Sequence, residues 1–138
     1  MSTVAGIAVS PDHYIGGRRV ASADRFEDRS PIDWAPLAEV ARGGQAEVDM
    51  AVEAATAAVP GWAALGAEGR AVHLRRLADL IDRNVERLAT VECLDMAMLE
   101  RSLKARVIAR GARNYRAYAD LAAAYEERVW SRTAPATA

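Results

Sequence analysis

The spacing of apolar residues divides the chain at Gln45. Before that point they come in short runs broken by glycine and proline. His13-Tyr14-Ile15-Gly16-Gly17-Arg18-Arg19-Val20 reads as two short strands around a Gly-Gly pair. Glycine supplies the positive φ of a tight hairpin turn, and Tyr14, Ile15 and Val20 supply apolar flanks, which favours a hairpin over a floppy glycine loop. Arg25-Phe26-Glu27-Asp28-Arg29-Ser30, ended by Pro31, is a second extended stretch. Leu37-Ala38-Glu39-Val40, after Pro36, is a third, and Gly43-Gly44 closes the section. Residues 1–12 read as a flexible leader.

After Gln45 the period changes to that of a helix. Val48, Ala51, Val52, Ala55, Ala58 and Val59 recur at steps of three and four, and Pro60-Gly61 is the expected stop. A second helix is predicted from about Ala67 to Asn84. Its stripe is Leu74, Leu77, Ala78 and Ile81, with Arg75, Arg76, Asp79 and Arg83 largely off it and solvated. A third, shorter helix carries Val85, Leu88, Ala89 and Glu92 towards Met96. A long fourth helix is predicted from Leu99 to Arg128, with Leu103, Val107, Gly111, Tyr115, Tyr118, Ala122 and Tyr125 on its apolar side. Residues 131–138, small, polar and proline-interrupted, read as a disordered tail. The fold class is therefore α+β, mostly helical, with strands over 13–44 and about four helices over 45–130.

Composition changes this picture in one respect. The chain is 51% hydrophobic, but 31 of its 138 residues are alanine and one is phenylalanine. Alanine forms helices readily while burying little area, so the helices suit close approach to a neighbour more than a bulky core. The 18 basic and 19 acidic residues nearly cancel, which gives no global attraction to nucleic acid or an anionic membrane. The N-terminus has no basic region ahead of an apolar stretch, and no run approaches the length of a membrane helix. One cysteine rules out an internal disulfide and suits a reducing compartment, so a cytoplasmic location is expected.

Candidate chemistry is sparse. Cys93 lies between Glu92 and Asp95 near the end of a helix, where neighbouring negative charge and the macrodipole both disfavour a thiolate. Packing outweighs nucleophilicity there. His13 and His73 have no partner at metal-ligand spacing, and His73 reads as a locally bonded helix-flank residue. Ile15-Gly16-Gly17 and Arg42-Gly43-Gly44 lack the glycine spacing and the strand–helix–strand context of a dinucleotide loop. Arg101 to Arg116 holds six basic residues and no acid. A nucleic-acid face is one reading. A solvated face, or one offset by acids such as Glu92, Asp95 and Glu100, is the better one.

Read in order, HYIGGRRV, the strand–proline–strand piece ending in LAEVARG, EVDMAVEAATAAVPGWAAL, EGRAVHLRRLADLIDRNVERLATVECLDMAM and ARNYRAYADLA resemble the opening of the NAD(P)-dependent aldehyde dehydrogenase superfamily. The resemblance covers residues 13–130 and implies the N-terminal part of that fold. Where LDMAM stands, the family usually reads Asp-Thr-Gly-Lys-Pro, so the turn here loses its glycine. The family's chemistry is thiolate attack on an aldehyde, hydride transfer to nicotinamide and thioester hydrolysis. It uses a cysteine in a G-Q-x-C context, a glutamate in E-L-G-G and an asparagine in P-W-N. None of these motifs occurs in this chain, and Gly44-Gln45 leads into Ala46-Glu47 with no cysteine. The resemblance therefore implies no catalytic, cofactor-binding or metal-binding residue here, with NAD(P) belonging to the complete fold.

The expected function is that of a truncated or split N-terminal segment of an aldehyde-oxidising enzyme, inactive alone. The expected partner is the remaining aldehyde dehydrogenase portion or a full-length homologue, with homo-oligomers as a further option. The alternative is a non-catalytic assembly or regulatory subunit that docks on a full-length relative through Tyr115, Tyr118 and their neighbours.

Overall fold

The computed structural model describes residues 1–124. The predicted tail at 131–138, and Tyr125 on the long helix, lie outside the described residues. Six strands come first: β1 (Ser2–Val4), β2 (Ile7–Val9), β3 (His13–Ile15), β4 (Arg18–Val20), β5 (Arg25–Arg29) and β6 (Pro36–Ala41). They form three separate antiparallel pairs, β1 with β2, β3 with β4 and β5 with β6. The β3–β4 hairpin turns at Gly16 (φ 57°) and Gly17 (φ 79°), the two positive angles that the Gly-Gly pair permits. β5 pairs with β6 from Arg25 opposite Ala41 to Arg29 opposite Pro36, with a register shift at Asp28/Arg29.

The expected flexible leader is instead ordered. β1 and β2 turn through Ala5 (φ 46°) and Gly6 (φ 76°), and β1 packs on β6 with Val4 buried. Val4, Ile7 and Val9 carry the short apolar alternation that drives this pairing.

Five helices and a π-helical turn follow. They are α1 (Gln45–Ala64), α2 (Gly66–Arg83), α3 (Val85–Met96), α4 (Glu100–Ser102), the π turn Leu103–Ile108 and α5 (Ala109–Ala124). α1 runs through Pro60-Gly61 rather than stopping there. Proline removes one N–H, and the carbonyl that it deprives, on Thr56, lies on an exposed surface where water can take its place. The chain turns at Gly66, whose φ of 64° suits a residue without Cβ.

The predicted long fourth helix is broken by the π turn. On an unbroken helix of 3.6 residues per turn, Leu103 and Ala112 would fall on opposite faces. Both are fully buried, because the π turn inserts backbone and resets the phase. Tyr115 and Tyr118, extrapolated onto the buried side, are exposed instead, and Ala112 and Ala119 face inward.

The core is centred on α2 and α5, the most extensive contact between helices. Ala71, Ala78, Ala112 and Ala119 are each 0% exposed. The alanine excess is thus used partly within the chain, as a seam of small residues that lets two helices approach closely. Arg75 and Asp79, expected to be merely solvated, bridge the pair. Arg75 contacts Asp120 at 3.1 Å, and Arg116 contacts both Asp79 and Asp82 at 2.7 Å. Position 75 pairs with 120 while 79 pairs with 116, so the helices run antiparallel.

Candidate functional site

Cys93 sits on the last full turn of α3, half-buried, and its carbonyl accepts the Ala97 N–H at 3.0 Å. No side-chain hydrogen bond or ion pair involving Cys93 is found among the described residues. The residue after that turn, Ala97, adopts the left-handed conformation (φ 56°, ψ 23°) and caps α3. The glycine lost from the turn is therefore missed: the backbone still takes a glycine's angles, with an alanine bearing the strain of a Cβ beside a carbonyl.

The histidines lie on different elements. His73, on α2, packs its ring against Trp62 of α1, with centroids 5.6 Å apart, so its neighbour is an aromatic ring rather than a hydrogen-bonding group. His13 begins β3, and its Nε2 is buried without a hydrogen-bond partner. Among the described residues no cluster of three or more His, Cys, Asp or Glu could hold a metal ion.

The basic stretch is partly neutralised by contacts within the chain. Lys104 pairs with Glu86 and Glu100, and Arg116 pairs with Asp79 and Asp82. The hydrogen-bonded acids hold the Lys104 ammonium and the Arg116 guanidinium above their ordinary pKa values. Glu100, bonded by Lys104 and then by Thr90, is held below the usual carboxylate value. These pairs tie α3 and α4 to the π turn, and α2 to α5.

Sequence reasoning missed one constellation. A cavity of about 240 Å³ opens between the strands and α3, lined by Val4, Val9, Val40 and Val91 with His13, Asp28 and Asp95. Asp28 of β5 faces Asp95 of α3. Burial, and then the negative charge of Asp95, raise the Asp28 pKa above its ordinary value. The two lie far apart in sequence, so no local spacing signals their meeting. The cavity lining contains no cysteine or lysine, and among the described residues no hydrogen bond joins its Ser10 to its His13.

The described residues do not fit a dinucleotide. All three strand pairs are antiparallel, so there is no strand–helix–strand crossover. Gly43-Gly44 does lead into a helix N-terminus, but the Gly44 N–H donates to the Glu47 carboxylate at 2.7 Å. That bond lowers the Glu47 pKa and places negative charge where a pyrophosphate would have to sit.

Residues 19–137 match the Aldehyde dehydrogenase family. This chain belongs to that family. It is 39% identical over 110 residues to 5-carboxymethyl-2-hydroxymuconate semialdehyde dehydrogenase of Escherichia coli, covering 80% of this chain and 24% of that protein. It is 41% identical over 113 residues to 2-hydroxymuconic semialdehyde dehydrogenase of Pseudomonas sp. (strain CF600), covering 79% and 23%. Among solved structures, P. syringae AldA indole-3-acetaldehyde dehydrogenase, complexed with NAD+ and IAA, superposes with a TM-score of 0.84 at 28% identity. That match covers 92% of this chain and 26% of the other. HpcC from Thermus thermophilus superposes at 0.80 with 33% identity, covering 95% and 28%. The chain thus spans about a quarter of the length of the relatives it matches, and it corresponds to their N-terminal segment.

Proposed function

We propose that residues 13–130 serve as the N-terminal segment of an enzyme that oxidises an aldehyde to a carboxylic acid with NAD(P), and that these residues alone do not turn over. The reading is supported by the family match together with Cys93. The chain's one thiol is half-buried on α3, with no histidine or cation hydrogen-bonded or ion-paired to it among the described residues. The names of the relatives span muconate semialdehydes, acetaldehyde and indole-3-acetaldehyde, so aldehyde oxidation is the chemistry they share. No step is assigned to a residue of this chain. Its role is to complete a fold whose nucleophile, base and dinucleotide site lie on other residues. A cytoplasmic setting accords with the single thiol, and among the described residues no helix is long and apolar enough to cross a membrane.

The second reading is a non-catalytic subunit that docks on a full-length relative. It is favoured by the exposure of Tyr118 and Leu121 on α5, beside a groove shared with Ala63, Ala67 and Arg70. The test is direct. The purified chain is incubated with NAD or NADP and a panel of aldehydes, alone and then mixed with a full-length relative. No cofactor reduction by the chain alone supports the first reading. Altered turnover of the relative on mixing favours the second. Dose-dependent turnover by the chain alone contradicts both.

A further inference from the structure

β2 and the joint between α2 and α3 border an open groove of about 380 Å³. Ile7 and Val9, at alternate positions of β2, line one wall. Leu80 and Ile81 at the end of α2, with Leu88 and Val91 of α3, line the other. Leu80 and Leu88 are each 43% exposed, so a ligand laid between the walls would remove apolar area from water. No aromatic ring lines the groove, which suits a flexible aliphatic chain better than a stacked ring. β2 lies ahead of residues 19–137, so this wall is no part of the family match.

The polar side of the groove is simple. Asn84 sits at the helix joint, and its side-chain amide donates to the Leu80 carbonyl at 2.8 Å. Arg87 is the one charged residue of the lining. Among the described residues it has no ion pair and no side-chain hydrogen bond. Two neighbouring acids are engaged elsewhere, Glu86 with Lys104 and Asp82 with Arg116. A guanidinium presents a planar fork of donors that matches a carboxylate. A phosphate dianion would leave one charge unmatched, since no second cation lines the groove. The volume lies in the range of small-ligand sites and is too small for a partner helix.

We propose that this groove binds a medium-chain aliphatic carboxylate, its alkyl chain against Leu80, Leu88 and Val91 and its carboxylate on Arg87. The site stands apart from aldehyde turnover, so its test shares no outcome with that of the proposed function.

The experiment titrates the isotope-labelled 138-residue chain with octanoate and follows its amide resonances. Saturable shifts are expected along β2, the end of α2 and α3, with submillimolar affinity. Octanol, which keeps the chain and lacks the charge, should bind at least about tenfold more weakly. Butyrate, which keeps the charge and loses four methylenes, should also bind at least about tenfold more weakly. Arg87→Gln should weaken octanoate about tenfold. Arg83→Gln removes the same charge outside the lining and should change affinity by less than about twofold in moderate salt. The unliganded spectra of both variants report whether the fold is kept. Absence of saturable binding overturns the site, as do shifts centred elsewhere on the chain. Octanol binding as tightly as octanoate, or equal losses from the two arginine variants, overturns the role of Arg87 and with it the proposal.

Discussion

Two helical regions of this molecule are built from the same residue type and reach opposite ends. α2 and α5 bring Ala71, Ala78, Ala112 and Ala119 to zero exposure and lock the contact with Arg75–Asp120 and Arg116–Asp79 pairs. α1 is richer still in alanine and valine, yet it buries none of its residues. Helix propensity does not separate them, since both sequences favour helix. The difference lies in whether a facing surface exists. α5 returns antiparallel along α2 and provides one, whereas α1 meets only the rim of a hairpin and the start of α2. An alanine-rich face is therefore a statement about how near a neighbour can come, and the neighbour need not be in the same segment.

The largest expected contrast comes from truncating one apolar side chain in each region. Leu103→Ala, at the fully buried residue of the π turn, should cost about 2–5 kcal/mol in denaturant unfolding. Val59→Ala on α1 should stay within about 0.5 kcal/mol. Equal losses would erase the distinction. Enlarging alanines gives the next largest effect. Ala78→Leu must force two closely packed helices apart, for about 1–3 kcal/mol, while Ala55→Leu on the exposed stripe should be near neutral.

A smaller effect, of opposite sign, is expected at the α3 turn. Ala97 holds φ 56° without being glycine, so Ala97→Gly should raise stability by about 1 kcal/mol despite the added freedom of the unfolded chain. A loss on that substitution would show that the side chain makes a contact worth more than the strain. The smallest effect concerns the Asp28–Asp95 pair. Because the folded-state pKa of Asp28 is raised, the folded chain binds its proton more tightly than the unfolded chain does. That contribution to stability is present below the ordinary aspartate pKa and is lost as pH rises through the raised folded value. Asp28→Asn should therefore flatten the fall in stability across the mildly acidic range and leave the chain slightly more stable at neutral pH. An unchanged pH slope would remove the pair from the description.

The sequence made the local geometry legible where one residue type dictates it. Gly16-Gly17 marked the hairpin, the Pro31 and Pro36 breaks marked β5 and β6, and the three-and-four spacing marked α1 to α3. The ordered motifs also carried the family. It failed where tertiary context decides. The β1–β2 hairpin is held by docking on β6, which a twelve-residue view of the N-terminus cannot contain. Pro60 was overruled because its orphaned carbonyl faces solvent. The π turn shifts the buried face of α5 by an amount no periodicity announces, so Ala112 and Ala119 face inward where the repeat predicts Tyr115 and Tyr118. Of the site, the acidic neighbours of Cys93 are legible in the sequence, whereas the meeting of Asp28 with Asp95 needs the fold.

The distinction between the two regions is tested most directly by amide hydrogen exchange on the 138-residue chain, followed residue by residue at dilute concentration. Protection reports how much packing must be broken to open each helix. The amides of α1 should exchange well before those around Ala78 and Ala112, at a rate that does not change on further dilution. Protection of α1 equal to that of α2 and α5 would mean that its apolar stripe is already covered within this chain, and would contradict the reading of α1 as a helix waiting for its partner surface.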